Sequence, residues 1–220
     1  MSKIAKLADA VAAIPVGATV MIGGFLGVGS PHWLIDEVVR QGKGGLTIIA
    51  NDTALPTIGI GKLIGAGLVK KVIVSHMGTN PDMQRRMIAG EIEAELVPQG
   101  TLAERIRAGG FGLGGILTST GVGTVVAEGK RTVEVRGQIF LLEEPIHADV
   151  ALIAAKRSDY AGNLDYMFTA RNFNPLMAMA ADLVIAEAES IVPIGVIPPD
   201  GVITPSVLVD LLIAKETCHG

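Results

Sequence analysis

The sequence holds one cysteine in 220 residues, Cys218. That count excludes a disulfide framework and a cysteine-rich metal site, and it fits a reducing compartment. Aromatic side chains are scarce at 4%, and Asp, Glu, Lys and Arg together make up only 18%. Low charge does not mean disorder here, because 49% of the residues are hydrophobic, enough to build one core over a single domain, residues 1–220. The balance of 18 basic against 22 acidic residues, a formal net charge of −4, argues against nucleic-acid binding as the main task. Nor is there a credible membrane span. Ala10 to Ile35 carries no charge but contains Pro15, Pro31 and five glycines, and the uncharged run Ala108 to Ala127 carries seven. The segment Met1–Lys6 leads into a helical pattern containing Asp9 and lacks the apolar stretch of a signal peptide, so the expected location is the cytoplasm.

Glycine is the residue in excess: 28 of 220, about 13% against a usual ~7%. Around the glycines the chain reads as short apolar strands alternating with helices. Ile4, Leu7, Ala8 and Val11 fall at helical spacing before Pro15, and Ala18–Ile22 reads as a buried strand. A glycine-rich turn follows. Ser30 and Pro31 then open a helix as cap and first residue, Leu34, Ile35, Val38 and Val39 form its buried face, and Gly42 ends it. Further strands are expected at 46–50, 71–75, 96–100, 150–154 and 183–186, with a helix over 102–108. Such alternation predicts an α/β fold, a mostly parallel sheet flanked by helices. Strict alternation over 132–136, a turn at Gly137-Gln138 and a second run over 139–142 predict a small antiparallel β excursion.

Ligands in open α/β sheets bind beyond the carboxyl ends of the strands. Asn51, Asp52, Thr53, His76, Asn80 and Gln99 all lie at or just beyond the ends of expected strands and should share that edge, where such residues also serve simply as turn formers. The sharpest feature is Gly23-Gly24-Phe25-Leu26-Gly27-Val28-Gly29-Ser30-Pro31, set between the first strand and a helix. Its backbone N–H groups can face a phosphate or a developing negative charge. It is not a dinucleotide fingerprint, because His32 stands where the third glycine is needed, and Gly61-Lys62-Leu63 is not a P-loop. Glu143-Glu144 reads as a solvated face, and His32 as a surface residue of a first helical turn. His76 is the stronger functional histidine. His147 and His219 have no partner at metal-ligand spacing, and Trp33, Met83 and Met87 read as core or interface.

The spacing Gly-Gly-Phe, three residues, Gly, one residue, Pro resembles the signature of family I coenzyme A transferases. Ala50-Asn51-Asp52-Thr53, Gly78-Thr79-Asn80-Pro81, Pro98-Gln99-Gly100-Thr101, Arg107 to Gly115, Thr120 to Thr124 and Arg171-Asn172-Phe173-Asn174-Pro175 are similar to the α subunits of that family, over roughly Ile14 to Ile213. The resemblance is closest to the acetate or butyrate:acetoacetate CoA-transferases. It implies ping-pong transfer of CoA from an acyl-CoA to a short carboxylate. The nucleophile is a glutamate in a Ser-Glu-Asn-Gly-type motif of a β subunit, and no Glu-Asn-Gly occurs in this chain. The expected assembly is therefore a hetero-oligomer with that β subunit. CoA enters as acyl-CoA substrate, with no permanently bound cofactor and no metal. No residue of this chain is expected to act covalently. Gly24 and Phe25 are the candidate oxyanion donors, and Gly23, Gly24, Phe25, Leu26, Gly27, Val28 and Gly29 the candidate CoA-binding loop. The rival readings are a non-catalytic acyl-CoA-binding module of the same fold and an isomerase, the latter without a convincing acid/base pair.

Overall fold

A computed structural model of the chain describes residues 3–214. The chain runs α1 (Leu7–Ala12), β1 (Thr19–Ile22), α2 (His32–Gln41), β2 (Leu46–Asp52), α3 (Ile60–Gly65), β3 (Val69–His76), α4 (Pro81–Ile88), β4 (Glu93–Leu96) and α5 (Gln99–Gly110). It continues through β5 (Ile116–Thr118), β6 (Thr132–Val135), β7 (Gln138–Glu143), β8 (Ala148–Asp159), β9 (Leu164–Asp165), α6 (Asn174–Met177), β10 (Ala181–Val192) and β11 (Leu211–Ala214). The main sheet has the order β11-β10-β8-β1-β2-β3-β4, parallel throughout, with β9 added antiparallel to β8.

This order places a switch point beside the first strand. From β1 the chain steps outward to β2, β3 and β4, and it returns only at β8, on the other side of β1. The crevice between β1 and β8, at their carboxyl ends, is where ligands bind in such sheets. Both faces are covered. Val20 and Ile22 of β1, Ile48 of β2 and Leu152 of β8 join Leu34, Leu63 and Met83 in one core, whereas Met21, Ile49 and Ile153 join Leu102, Ile106 and Met177 in the other. The period of two along each strand thus sends neighbouring side chains to opposite layers, each buried Leu or Ile contributing about 1.5–3 kcal/mol.

Four local expectations need correction. Ile4 is not helical: it forms a bridge with Leu212, and the helix begins at Leu7. Helix α5 starts at Gln99, where a strand end was expected, and β4 ends at Leu96. The hairpin turns on Arg136 and Gly137, both at positive φ (53° and 77°), so Gln138 is already the first residue of β7. It also has a third strand, since β5 from the glycine-rich segment pairs with β7. Glu143, read as solvated, is 3% exposed at the end of β7. Lys130 Nζ donates to it at 2.5 Å, and Arg105 lies at 3.9 Å, so two cations balance the carboxylate that strand pairing buries. Its neighbour Glu144 is exposed, as expected. Cys218 and His219 lie outside the described residues.

Candidate functional site

The glycine loop leaves β1 and folds back on itself. Phe25 and Val28 exchange both backbone hydrogen bonds, N–H to O at 3.0 and 2.9 Å. The two residues between them, Leu26 and Gly27, have φ of 48° and 88°, the all-positive geometry of a tight hairpin turn. Gly24 precedes this turn at φ 117°, and a Cβ there would lie 2.1 Å from Ser30 Oγ, so only glycine fits. The turn presents Phe25, Leu26 and Val28 outward, 43%, 39% and 53% exposed.

Side chains from both flanks of β1 hold the loop. From β2, the buried Asp52 carboxylate accepts the N–H of Leu26 at 2.9 Å and that of Ala54 at 2.7 Å. From the segment after β8, Asn172 Oδ1 accepts the Gly24 N–H at 3.2 Å while its Nδ2 donates to the Val28 carbonyl at 3.3 Å. Asn174, fully buried, donates to the Gly29 and Ala170 carbonyls at 3.0 and 2.7 Å and accepts the Ala154 N–H of β8 at 3.0 Å. The Phe25 N–H is used within the turn. Among the described residues, the N–H groups of Gly27 and Gly29 have no partner.

The sequence-derived polar set divides. Asn51 Nδ2 donates to Asp52 Oδ2 at 2.7 Å, and Gln99 Nε2 donates to Asn51 Oδ1 at 2.6 Å, so these three form one chain of hydrogen bonds ending at the loop. Asn80 is structural: its Oδ1 caps Met83 at 3.1 Å and its Nδ2 donates to the Thr53 carbonyl at 3.0 Å. His76 lies exposed at the same edge against Gly78, and its backbone carbonyl accepts the Thr53 N–H at 3.2 Å. His32, expected at the surface, is half-buried, and its Nε2 sits 3.0 Å from the Gly27 carbonyl. The histidine beside the loop is therefore His32.

The start of α2 also differs from expectation. Ser30 does not cap it, because its hydroxyl is turned in beside Gly24, and Pro31 offers no side-chain bond. The cap comes from β10, where Glu187 Oε2 accepts the N–H groups of Trp33 and Leu34 at 2.9 and 3.0 Å. Glu187 lines a cavity of about 360 Å³ behind the loop, together with Val28, Ser30, His32, Trp33 and Phe168. Burial pushes its carboxyl up to about 8, against the lowering effect of those N–H bonds. Neither this residue nor the Asn172 and Asn174 clamp was assigned from sequence. The available signals were a lone acidic residue inside the run Ile185-Ala186-Glu187-Ala188 and the motif Arg171 to Pro175.

No group of three or more His, Cys, Asp or Glu among the described residues is arranged to hold a metal, and no helix among them is long and apolar enough to cross a membrane. Fold and site together define an α/β protein with a glycine-rich loop at its switch point, two of whose backbone N–H groups are unpaired among the described residues. The coenzyme A transferase family model matches residues 4–215. The chain is 52% identical, over 98% of both chains, to the acetate CoA-transferase subunit alpha of Escherichia coli K12. It is 49% identical to the acetoacetyl-CoA:acetate/butyrate CoA transferase alpha subunit of Clostridium acetobutylicum, over 97% of this chain and 98% of the relative. The chain belongs to the coenzyme A transferase family, a family of transferase enzymes. Its fold is also that of an acyl-CoA transferase from Escherichia coli O157:H7 solved as a thioester complex with CoA, with a TM-score of 0.88 at 24% identity over 98% of this chain and 47% of that one.

Proposed function

We propose that this chain is the α subunit of a cytoplasmic CoA-transferase that moves CoA between a short-chain acyl-CoA and acetoacetate or another short carboxylate. A separate β subunit supplies the glutamate nucleophile. In the first half-reaction that carboxylate attacks the thioester carbonyl, forming a mixed anhydride and expelling CoA thiolate. The thiolate then attacks the glutamyl carbonyl, which releases the first acid and leaves a glutamyl-CoA thioester. The second acid reverses both steps and restores the free glutamate. One thioester replaces another, so the chemistry needs neither ATP nor a metal.

The observation that carries this reading is the glycine loop at the switch point. Every attack puts negative charge on a carbonyl oxygen, and one preorganised donor there is worth about 2.7–4 kcal/mol. The unpaired N–H groups of Gly27 and Gly29, and that of Gly24 on its long bond to Asn172, are the loop's donors toward that oxygen or toward CoA. Phe25 contributes its ring, since its N–H closes the turn. The names of the relatives support the division into subunits, and the surface agrees with it. Phe25, Val28, Leu55, Ile58 and Phe168 stand exposed around the loop, a face suited to burial against the β subunit.

Mass spectrometry of the complex co-expressed with its β subunit and incubated with acetoacetyl-CoA tests this reading. The expected result is a covalent CoA adduct on the β chain and none on this chain. An adduct on this chain, or transfer without any adduct, overturns it.

A further inference from the structure

We propose that Glu187 is a positioning residue of the transfer reaction: from β10 it fixes the first turn of α2 and, through His32, the shape of the glycine loop. This rests on the reading of the loop given above. Helix α2 has no cap of its own, so its first amides need an acceptor from elsewhere. The Glu187 carboxyl, 7% exposed, meets two of them with one oxygen, Oε2, at 2.9 and 3.0 Å. The residue before those two amides is His32, whose Nε2 lies 3.0 Å from the carbonyl of Gly27. Gly27 in turn carries one of the two unpaired N–H groups of the loop. A short mechanical path thus runs from β10 through the Trp33 and Leu34 amides and His32 to the donors that face the reacting carbonyl. On the other side of the loop, Asp52 holds Leu26 while Asn172 and Asn174 hold Gly24, Val28 and Gly29, and none of these hydrogen bonds reaches α2. Without Glu187, the end of α2 that brings His32 to the Gly27 carbonyl has no acceptor from β10.

Four titratable groups lie around Glu187. His32 and Asp36 face it from α2, Lys156 from β8 and Glu189 from β10, and Lys156 and Glu189 are already paired with each other. Glu187 therefore acts through geometry, as an acceptor of the right length, and its amide analogue preserves that acceptor. The buried position of the carboxyl, which favours its protonated form at neutral pH, supports the same equivalence.

The test uses Glu187→Gln, Glu187→Asp and Glu187→Ala in the complex with the β subunit, assayed for transfer from acetoacetyl-CoA to acetate at pH 7. Amide hydrogen exchange is followed in parallel over residues 24–34. Glu187→Gln should keep kcat within about twofold. Glu187→Asp, one methylene short, and Glu187→Ala should lower kcat by about 10- to 100-fold with KM nearly unchanged, the cost of a misplaced reacting group. Exchange over 24–34 should accelerate in the Asp and Ala variants and not in Gln. A wild-type kcat in the Asp variant, or a lowered melting temperature with kcat and loop exchange unaltered, overturns the proposal. If Glu187→Ala does not fold, the Asp and Gln variants decide alone. Because hydrogen exchange needs no turnover, an inactive wild-type complex would sink the proposed activity and leave the loop anchoring still measurable.

Discussion

Asp52 on β2 and Leu26 in the glycine loop are joined by one hydrogen bond, the Leu26 N–H donating to Asp52 Oδ2 at 2.9 Å. The same oxygen accepts from Asn51 Nδ2, and the other accepts from the Ala54 N–H. A carboxylate that is 4% exposed thus ties the loop to the neighbouring strand and orients the Asn51–Gln99 pair.

Asp52→Ala should strand three donors at once. Each buried donor left unmade costs about 1–3 kcal/mol, and relaxation recovers part of that, so the expected loss of unfolding free energy is about 2–4 kcal/mol. Urea denaturation of the isolated chain measures it, and a loss under about 0.5 kcal/mol would refute the tie.

Gly24→Val attacks the loop directly. The backbone there sits at φ 117°, and the new Cβ would fall 2.1 Å from Ser30 Oγ, so the loop must move. Size-exclusion chromatography should still show the complex with the β subunit, while turnover falls by about 10²- to 10³-fold, the worth of one lost donor. A variant complex with full turnover contradicts the catalytic role proposed for the loop.

The central strands were legible because apolar runs announce buried parallel strands, but strand length was not, and the short β5, β9 and β11 went unread. β8 and β10 run on through Lys156–Asp159 and Glu187–Val192, past the apolar stretches 150–154 and 183–186, because each continues in register with the other. The loop itself was legible from its glycine spacing, as were Asn51, Asp52 and Gln99 from their place near strand ends, although Asn51 and Asp52 still belong to β2 and Gln99 opens α5. Asn172 and Asn174 reach the loop from 148 and 145 residues away, and Glu187 reaches Leu34 from 153 away. Contacts of that range leave no local periodicity. Local propensity also misled at Ser30, a good cap by type that turned inward, and at Glu143, an acidic residue buried because two cations come to it.

The Glu187 carboxyl makes stability depend on pH with a defined sign. Unfolded, the group titrates near its ordinary 4.5, whereas in the fold burial holds it up to about 8. Between those values the native state keeps a proton that the unfolded chain has released, so this contribution is full below pH 4.5, declines as pH rises and levels off above about 8. Denaturant melts from pH 4 to 9 should show that slope in the difference between wild type and Glu187→Gln. A flat difference contradicts the shift.

Lys130→Met removes the closer of the two cations beside Glu143 and leaves Arg105 at 3.9 Å. Lys130 is itself partly exposed, so water offsets some of the loss, and the expected destabilisation is about 1–3 kcal/mol. Thermal melts should show it, and the double variant Lys130→Met with Glu143→Gln should recover most of it.

The proposed division, a carbonyl-binding loop on this chain and the nucleophile on a second, makes transfer depend on both chains. The most direct test is the initial rate of CoA transfer from acetoacetyl-CoA to acetate, measured for the purified chain alone and after co-expression with its β subunit. No transfer by the chain alone and turnover by the pair are expected. Transfer by the chain alone would contradict it.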